Sequence, residues 1–212
     1  HDLFLAGWTA EEQGWATLDS AAIARTARTL AQAGVAVVPT LVLYEMLARL
    51  DDRTLLARPA MADLPAAGAA VRDVAGLVRR AGWRPVDFAT FRAARRPQDL
   101  FVREFKRANG LVAAGSDAAN QLLVPGAALH DELALLVDAG LARLEAITAA
   151  TRHAAQLLGA DSLGTVAVGK VADLVILNAN PADDIAATRD IAAVVIRGRL
   201  LAVDSIRATW RR

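Results

Sequence analysis

Two spacings of apolar residues alternate along the chain and divide it. Ile23, Ala27, Leu30 and Ala31 recur every three or four residues, the period of a helix with one buried face. Asp19 or Ser20 is a suitable N-cap for a helix running to Ala33, and Gly34 a suitable C-cap. The stretch 35–43, VAVVPTLVL, is then almost unbroken apolar sequence, as in a parallel strand covered on both faces. Pro39 lacks a ladder donor, so this strand is expected to end or bend at Pro39-Thr40 and pass into a loop or short helix. Residues 1–17 carry neither period and read as the end of one element followed by a loop.

Proline and glycine punctuate 51–85, with helical character at Ala69–Arg80. Phe88–Asn109 predicts a helix broken at Pro97 and closed by Asn109-Gly110. Leu111–Ser116 is the second strand. Helices follow at Leu129–Ala139 and Leu144–Leu158, capped by Gly140 and Gly159. Helix, strand, helical excursion, strand, helix is an order that implies a parallel sheet with right-handed crossovers. After Gly159 the pattern becomes short apolar runs at 164–168, 173–177, 193–197 and 200–203, which predict a small β module.

Composition narrows the classes. At 212 residues and 55% apolar, the chain can bury a core of one domain or slightly more. Net charge is +1, and acids interrupt the densest basic run, Arg92 to Arg107, within which the Arg92–Arg96 cluster reads as a solvated helix face. Nucleic acid is not expected as a partner. The absence of cysteine excludes disulfides, thiol nucleophiles and zinc–thiolate sites. No apolar run approaches the ~20 residues of a membrane span, so no membrane partner is expected. The chain opens His1-Asp2, without the charged and apolar regions of a signal peptide, and is expected to be processed or part of a longer protein.

Candidate chemistry concentrates at Leu111–Asp117, LVAAGSD. Here a short apolar strand delivers a carboxylate to the C-terminal edge of a parallel sheet, where α/β folds carry their chemistry. Such a carboxylate can take a proton from water or bind a metal; spacing alone equally fits an aspartate turn bonded to its own backbone. Asn120 and Gln121 lie in the following loop, where substrate contacts are expected, and His130 opens the next helix. His153, in an Ala-rich helix, reads as structural. Lys170 is followed by Val171, so it is not a phosphate-loop lysine, and no Gly-rich strand-to-helix turn supports nucleotide binding.

Five pieces in order carry a resemblance: GSDA at 115–118, VPGAALHDELALLVDAGL at 124–141, EAITAATRHAAQLLG at 145–159, LGTVAVGKVADLVILNANPADDI at 163–185 and VVIRGRLL at 194–201. GVAVVPTLVL at 34–43 extends it upstream. Together they resemble the C-terminal end of the amidohydrolase superfamily, nearest to its imidazolonepropionase-like and prolidase-like members. The resemblance implies an α/β fold, the C-terminal part of a metal-dependent (β/α)8 barrel at 1–159 with a helical insert at about 51–100, followed by part of a small β-sandwich at 160–212. It implies hydrolysis of a C–N bond, in a peptide-like or cyclic amide substrate, through a water activated by a divalent metal, zinc being the first expectation. Asp117 matches the eighth-strand aspartate, both metal ligand and proton shuttle. His1 is the candidate match to the sixth-strand histidine. The family's His-x-His, fourth-strand ligand and fifth-strand histidine have no counterpart here, so the chain reads as a C-terminal fragment. The alternative is a catalytically inert fragment or scaffold, and a homo-oligomer is compatible with either.

Overall fold

A computed structural model describes residues 2–64 and 68–210 of the chain. Its first element, α1 (Leu3–Thr17), is one continuous helix over the stretch expected to be the end of one element followed by a loop. The Asp2 carboxylate caps it, accepting from the Phe4 and Leu5 amides at 3.1 and 3.3 Å. Its inner face, Leu5, Trp8, Glu12 and Trp15, is aromatic and acidic rather than aliphatic, which hid the helical period. Trp8 meets Trp83 edge-on, Trp15 meets Phe101, and the Trp83 indole N–H donates to Thr9 Oγ1 at 2.8 Å. Asp19 caps α2 (Ser20–Gln32), and Gly34 turns out of it at φ 71°.

The chain then forms β1 (Ala36–Val37) and turns at Pro39-Thr40 into α3 (Leu41–Ala48), as the proline and the apolar run anticipate. The excursion is a 3-10 turn (Arg53–Ala57) and three short helices, α4 (Pro59–Ala62), α5 (Ala69–Arg72) and α6 (Val74–Ala81). The long α7 (Pro85–Arg107) runs through Pro97 without the expected break. Packing against α1, α2 and α3 holds it helical. That burial outweighs the one hydrogen bond the proline forfeits. It leads to β2 (Leu111–Val112), which pairs in parallel with β1, Ala36 opposite Leu111 and Val37 opposite Val112.

After a loop come α8 (Ala127–Asp138) and a continuous helical run: α9 (Arg143–Thr148), one π turn (Ala149–His153) and α10 (Ala154–Leu157). The π turn serves β2, because the Ala114 amide donates to Ala149 O and the His153 ring to Val112 O, at 3.0 and 2.9 Å. The β module is a three-stranded antiparallel sheet, β3 (Leu174–Leu177), β4 (Ile191–Ile196) and β5 (Arg199–Ala202), closed by α11 (Val203–Trp210). The expected strand at 164–168 is absent: Val166 and Val168 are exposed, and the Val171 amide closes a loop onto Ser162 O at 3.0 Å.

Two apolar clusters form the core. One joins α1, α3, the excursion, α7 and Leu122–Val124; the other joins Val112 to α7, α8 and the α9 region. Two carboxyls are fully buried as well. Glu12 lies between α1 and α7, where Gln98 Nε2 reaches both its oxygens at 3.1 and 3.3 Å. Burial pushes Glu12 up to about 7, with Glu11 adding to it. Arg95 joins the same network through Gln98, Asp99 and Glu45, and at 8% exposure it corrects the expectation of a solvated arginine face. Glu132 of α8 is buried as completely, and burial raises it to about 7 against the pull of the Val42 and Leu41 amides.

These carboxyls bind protons more tightly folded than unfolded. Their stabilising contribution is therefore complete below their ordinary value of 4.5 and lost as pH rises through about 7. His130, held below its ordinary value mainly by burial, has the opposite dependence, so a difference measurement is needed. The unfolding free energy of the wild type relative to Glu132→Gln should fall by about 2 to 3 kcal/mol between pH 4.5 and 8. Urea titrations across that range read it, and a constant difference would place the Glu132 proton elsewhere.

Candidate functional site

Parallel pairing sends the ends of β1 and β2 to the same edge. Beyond β1 lie Pro39 and Thr40; beyond β2 lie Ala113 to Asp117. The two segments touch at Gly115, where a Cβ would fall 2.6 Å from Val38 Cγ1 and 3.5 Å from Thr40 Cγ2. A side chain there would push the segments apart, which is why this position requires glycine. Both segments end in left-handed backbone at non-glycine residues, Thr40 at φ 46° and Asp117 at φ 51°. Such conformations cost on the order of 1–3 kcal/mol each and persist where surrounding structure imposes them. At Asp117 the imposing contacts are the Asn120 backbone and side-chain amides, which both donate to its carbonyl, at 3.3 and 2.8 Å. The Asp117 carboxylate is left exposed at the mouth.

Tyr44, one turn into α3, reaches the same mouth. Its hydroxyl donates to Glu11 Oε1 at 3.3 Å. Burial pushes its ionisation well above the ordinary tyrosine value, and the charges of Glu11, Glu12 and Asp117 add to the shift. Tyr44 is therefore a phenol at every physiological pH, a fixed hydrogen-bond donor among carboxylates.

Beneath the mouth, Glu132 Oε2 accepts from the Val42 amide at 2.7 Å. The first turn of α3 has no local cap, since the Thr40 side chain makes no capping bond. Glu132 supplies one from another helix, at the end where the α3 dipole favours a negative charge. Its other oxygen, Oε1, is buried with no hydrogen-bond partner.

The sequence candidates divide on inspection. Asp117 and Asn120 are brought together. Gln121 is directed away, its side chain donating to Ala70 O at 3.3 Å while the Leu122 amide donates to Val71 O at 2.9 Å, so the excursion seals this loop from outside. The Thr188 hydroxyl donates to Ile185 O at 2.8 Å, so the His130 ring, 3.1 Å from Thr188 Oγ1, is the donor in that contact. Burial, and then Arg189, lower the His130 ionisation, leaving a neutral ring whose Nε2 can accept. His1 lies outside the described residues. Tyr44, Glu12 and Glu132 were not anticipated; for Glu132 the sequence carries a signal, since it follows Ala128 and precedes Leu136 at four-residue spacing, an acid on a buried stripe. Among the described residues no group of three or more His, Cys, Asp or Glu could hold a metal ion.

The model of the amidohydrolase family matches residues 7–201. Several solved structures share the fold. A putative prolidase from Bifidobacterium longum is 28% identical with a TM-score of 0.56, over 79% of this chain and 35% of its own. A prolidase complexed with N-methylphosphonate-L-proline is 25% identical at 0.60, over 87% and 38%. An amidohydrolase structure is 26% identical at 0.57, over 84% and 37%. The chain thus spans little more than a third of the length of the structures it matches. No curated protein matches it in sequence.

The contact at Gly115 makes a direct prediction. Gly115→Ala should lower the unfolding free energy by about 1–3 kcal/mol, and Val38→Ala in the same chain should recover most of the loss. Urea unfolding of the single and double variants measures it; additive losses would mean that the two segments do not touch there.

Proposed function

The chain belongs to the amidohydrolase family, and on that premise we propose that it is the C-terminal portion of a hydrolase cleaving a C–N bond in a peptide-like substrate. The observation that carries this is the exposed Asp117 carboxylate, delivered by β2 to the C-terminal edge of a parallel pair and flanked by Thr40, Tyr44 and Asn120. In this reading β1 and β2 are neighbouring strands of a (β/α)8 barrel, residues 1–159 belong to the barrel, and 160–212 form part of a β-sandwich beside it. The prolidases among the similar structures favour a peptide-like amide over a cyclic one.

Asp117 accepts a proton from water as the water oxygen bonds to the amide carbon and the carbonyl electrons move to oxygen. The same carboxyl then donates that proton to the nitrogen as the C–N bond breaks, releasing acid and amine. Tyr44, by turning its single hydroxyl proton away from Glu11, donates to the polarised oxygen or to a substrate carboxylate. Of the other substrate-contact candidates, His130 offers an acceptor nitrogen, while Asn120 and Gln121 act through the loop they hold.

A divalent metal, zinc first, is the family's general means of activating such a water. The described residues do not fit one by themselves. Among the described residues Asp117 is in no group of three or more possible ligands, and catalytic zinc takes three protein ligands. His1 remains the candidate second ligand. The lone carboxylate supports a second reading, in which the chain by itself is a catalytically inert fragment or scaffold that acts only with the rest of a barrel or with another copy.

In an enzyme containing this chain, Asp117→Asn should lower kcat by about 10²- to 10⁴-fold with an unchanged circular dichroism spectrum. Near-normal hydrolysis of the enzyme's amide substrate would remove Asp117 from the reaction. The chain alone, dialysed against zinc-free buffer, should retain far less than one zinc per molecule by elemental analysis. Stoichiometric zinc would mean that the site is complete within it.

A further inference from the structure

The cap beneath the mouth links a buried acid to the reacting edge. We propose that Glu132 is a positioning residue for the Asp117 site. It acts by fixing the first turn of α3, and through it the Pro39-Thr40 segment against which Gly115-Ser116-Asp117 is packed. This rests on reading Asp117 as the reacting carboxylate, and it adds a residue that never meets substrate.

The linkage is continuous. Glu132 stands on the buried face of α8, with Leu133 and Leu136 locking that helix into the cluster that also holds Val112 and Leu41. Its Oε2 holds the Val42 amide at 2.7 Å. The helix it caps begins immediately after Thr40, whose left-handed backbone denies the helix an ordinary side-chain cap. Thr40 and Val38 form the surface against which Gly115 fits with no room for a methyl group. Two residues later the chain presents Asp117. A carboxyl is unusual in a wall otherwise built of Leu, Val and Ala. An aliphatic residue would pack there without the desolvation cost, but it would leave the amides at the start of α3 without an acceptor. Oε1 makes no bond within the chain, so the energetic case for a carboxyl here rests on the α3 amides alone.

The positioning role separates two substitutions of similar size. Glu132→Gln keeps an acceptor for the Val42 amide; Glu132→Leu fills the space and removes it. Both are made in the 212-residue chain, and amide exchange and ¹³C shifts are recorded by NMR. In Glu132→Leu, exchange at Leu41 and Val42 should rise about tenfold or more. The amide resonances of Thr40 and Gly115–Asp117, and the Asp117 side-chain carboxyl shift, should move, while β4 resonances stay in place. Glu132→Gln should restore the Asp117 carboxyl shift and most of the protection. An unmoved Asp117 region in Glu132→Leu would overturn the proposal, as would equal disturbance in both variants. If Glu132→Leu fails to fold, Glu132→Gln decides alone: retained Val42 protection and an unmoved Asp117 region support the cap, and their loss overturns it. None of these readouts needs turnover, so they stand apart from the Asp117→Asn test of the reaction.

Discussion

The parallel pairing of Ala36–Val37 with Leu111–Val112 is the constraint on which the rest of the structure depends. It is only two residues long on each strand, far too short to be stable by its own hydrogen bonds. It persists because α7 and the Ala149–His153 turn pack against β2. The α7 helix spans the distance back, one apolar cluster closes over Val112, and the π turn satisfies the far side of β2 through Ala149 and His153. The functional consequence follows from direction alone. Parallel strands end at the same edge, so Thr40 and Asp117, far apart in the chain, end as neighbours.

What was legible in the residues follows from how each element earns its stability. The turn at Pro39-Thr40 was legible because proline cannot continue a ladder, and α8 because its stripe is strongly periodic. The first helix was missed because its buried face uses Trp8, Glu12 and Trp15, whose partners lie on α7 and are invisible locally. Pro97 misled for the same reason: local cost predicts a break, and burial of the flanking Arg95 and Gln98 overrides it. The run at 164–168 has strand composition but finds no partner, and an apolar stretch without a neighbour remains a loop.

The site divides along similar lines. The place of Asp117 was legible, because a short apolar strand ending in Gly-Ser-Asp carries its carboxylate to the strand's C-terminal edge, although spacing alone fits an aspartate turn equally well. Its surroundings were not. The spacing of Glu132 from Ala128 and Leu136 puts it on the apolar stripe, but only the packed structure shows that it faces an uncapped helix start. Tyr44 depends on Glu11 from an element read as loop. Family membership gives these residues a chemical setting; the chain spans little more than a third of each similar structure, and among the described residues no group of three or more His, Cys, Asp or Glu could hold a metal ion.

The most direct measurement of the central claim, that the two strand ends form one edge, is the nuclear Overhauser effect between the Val38 methyl groups and the Gly115 α-protons. The packing of Gly115 against Val38 predicts a strong cross-peak, because a Cβ on Gly115 would stand 2.6 Å from Val38 Cγ1. Absence of that cross-peak, with both residues assigned in a folded chain, would contradict the pairing and with it the site.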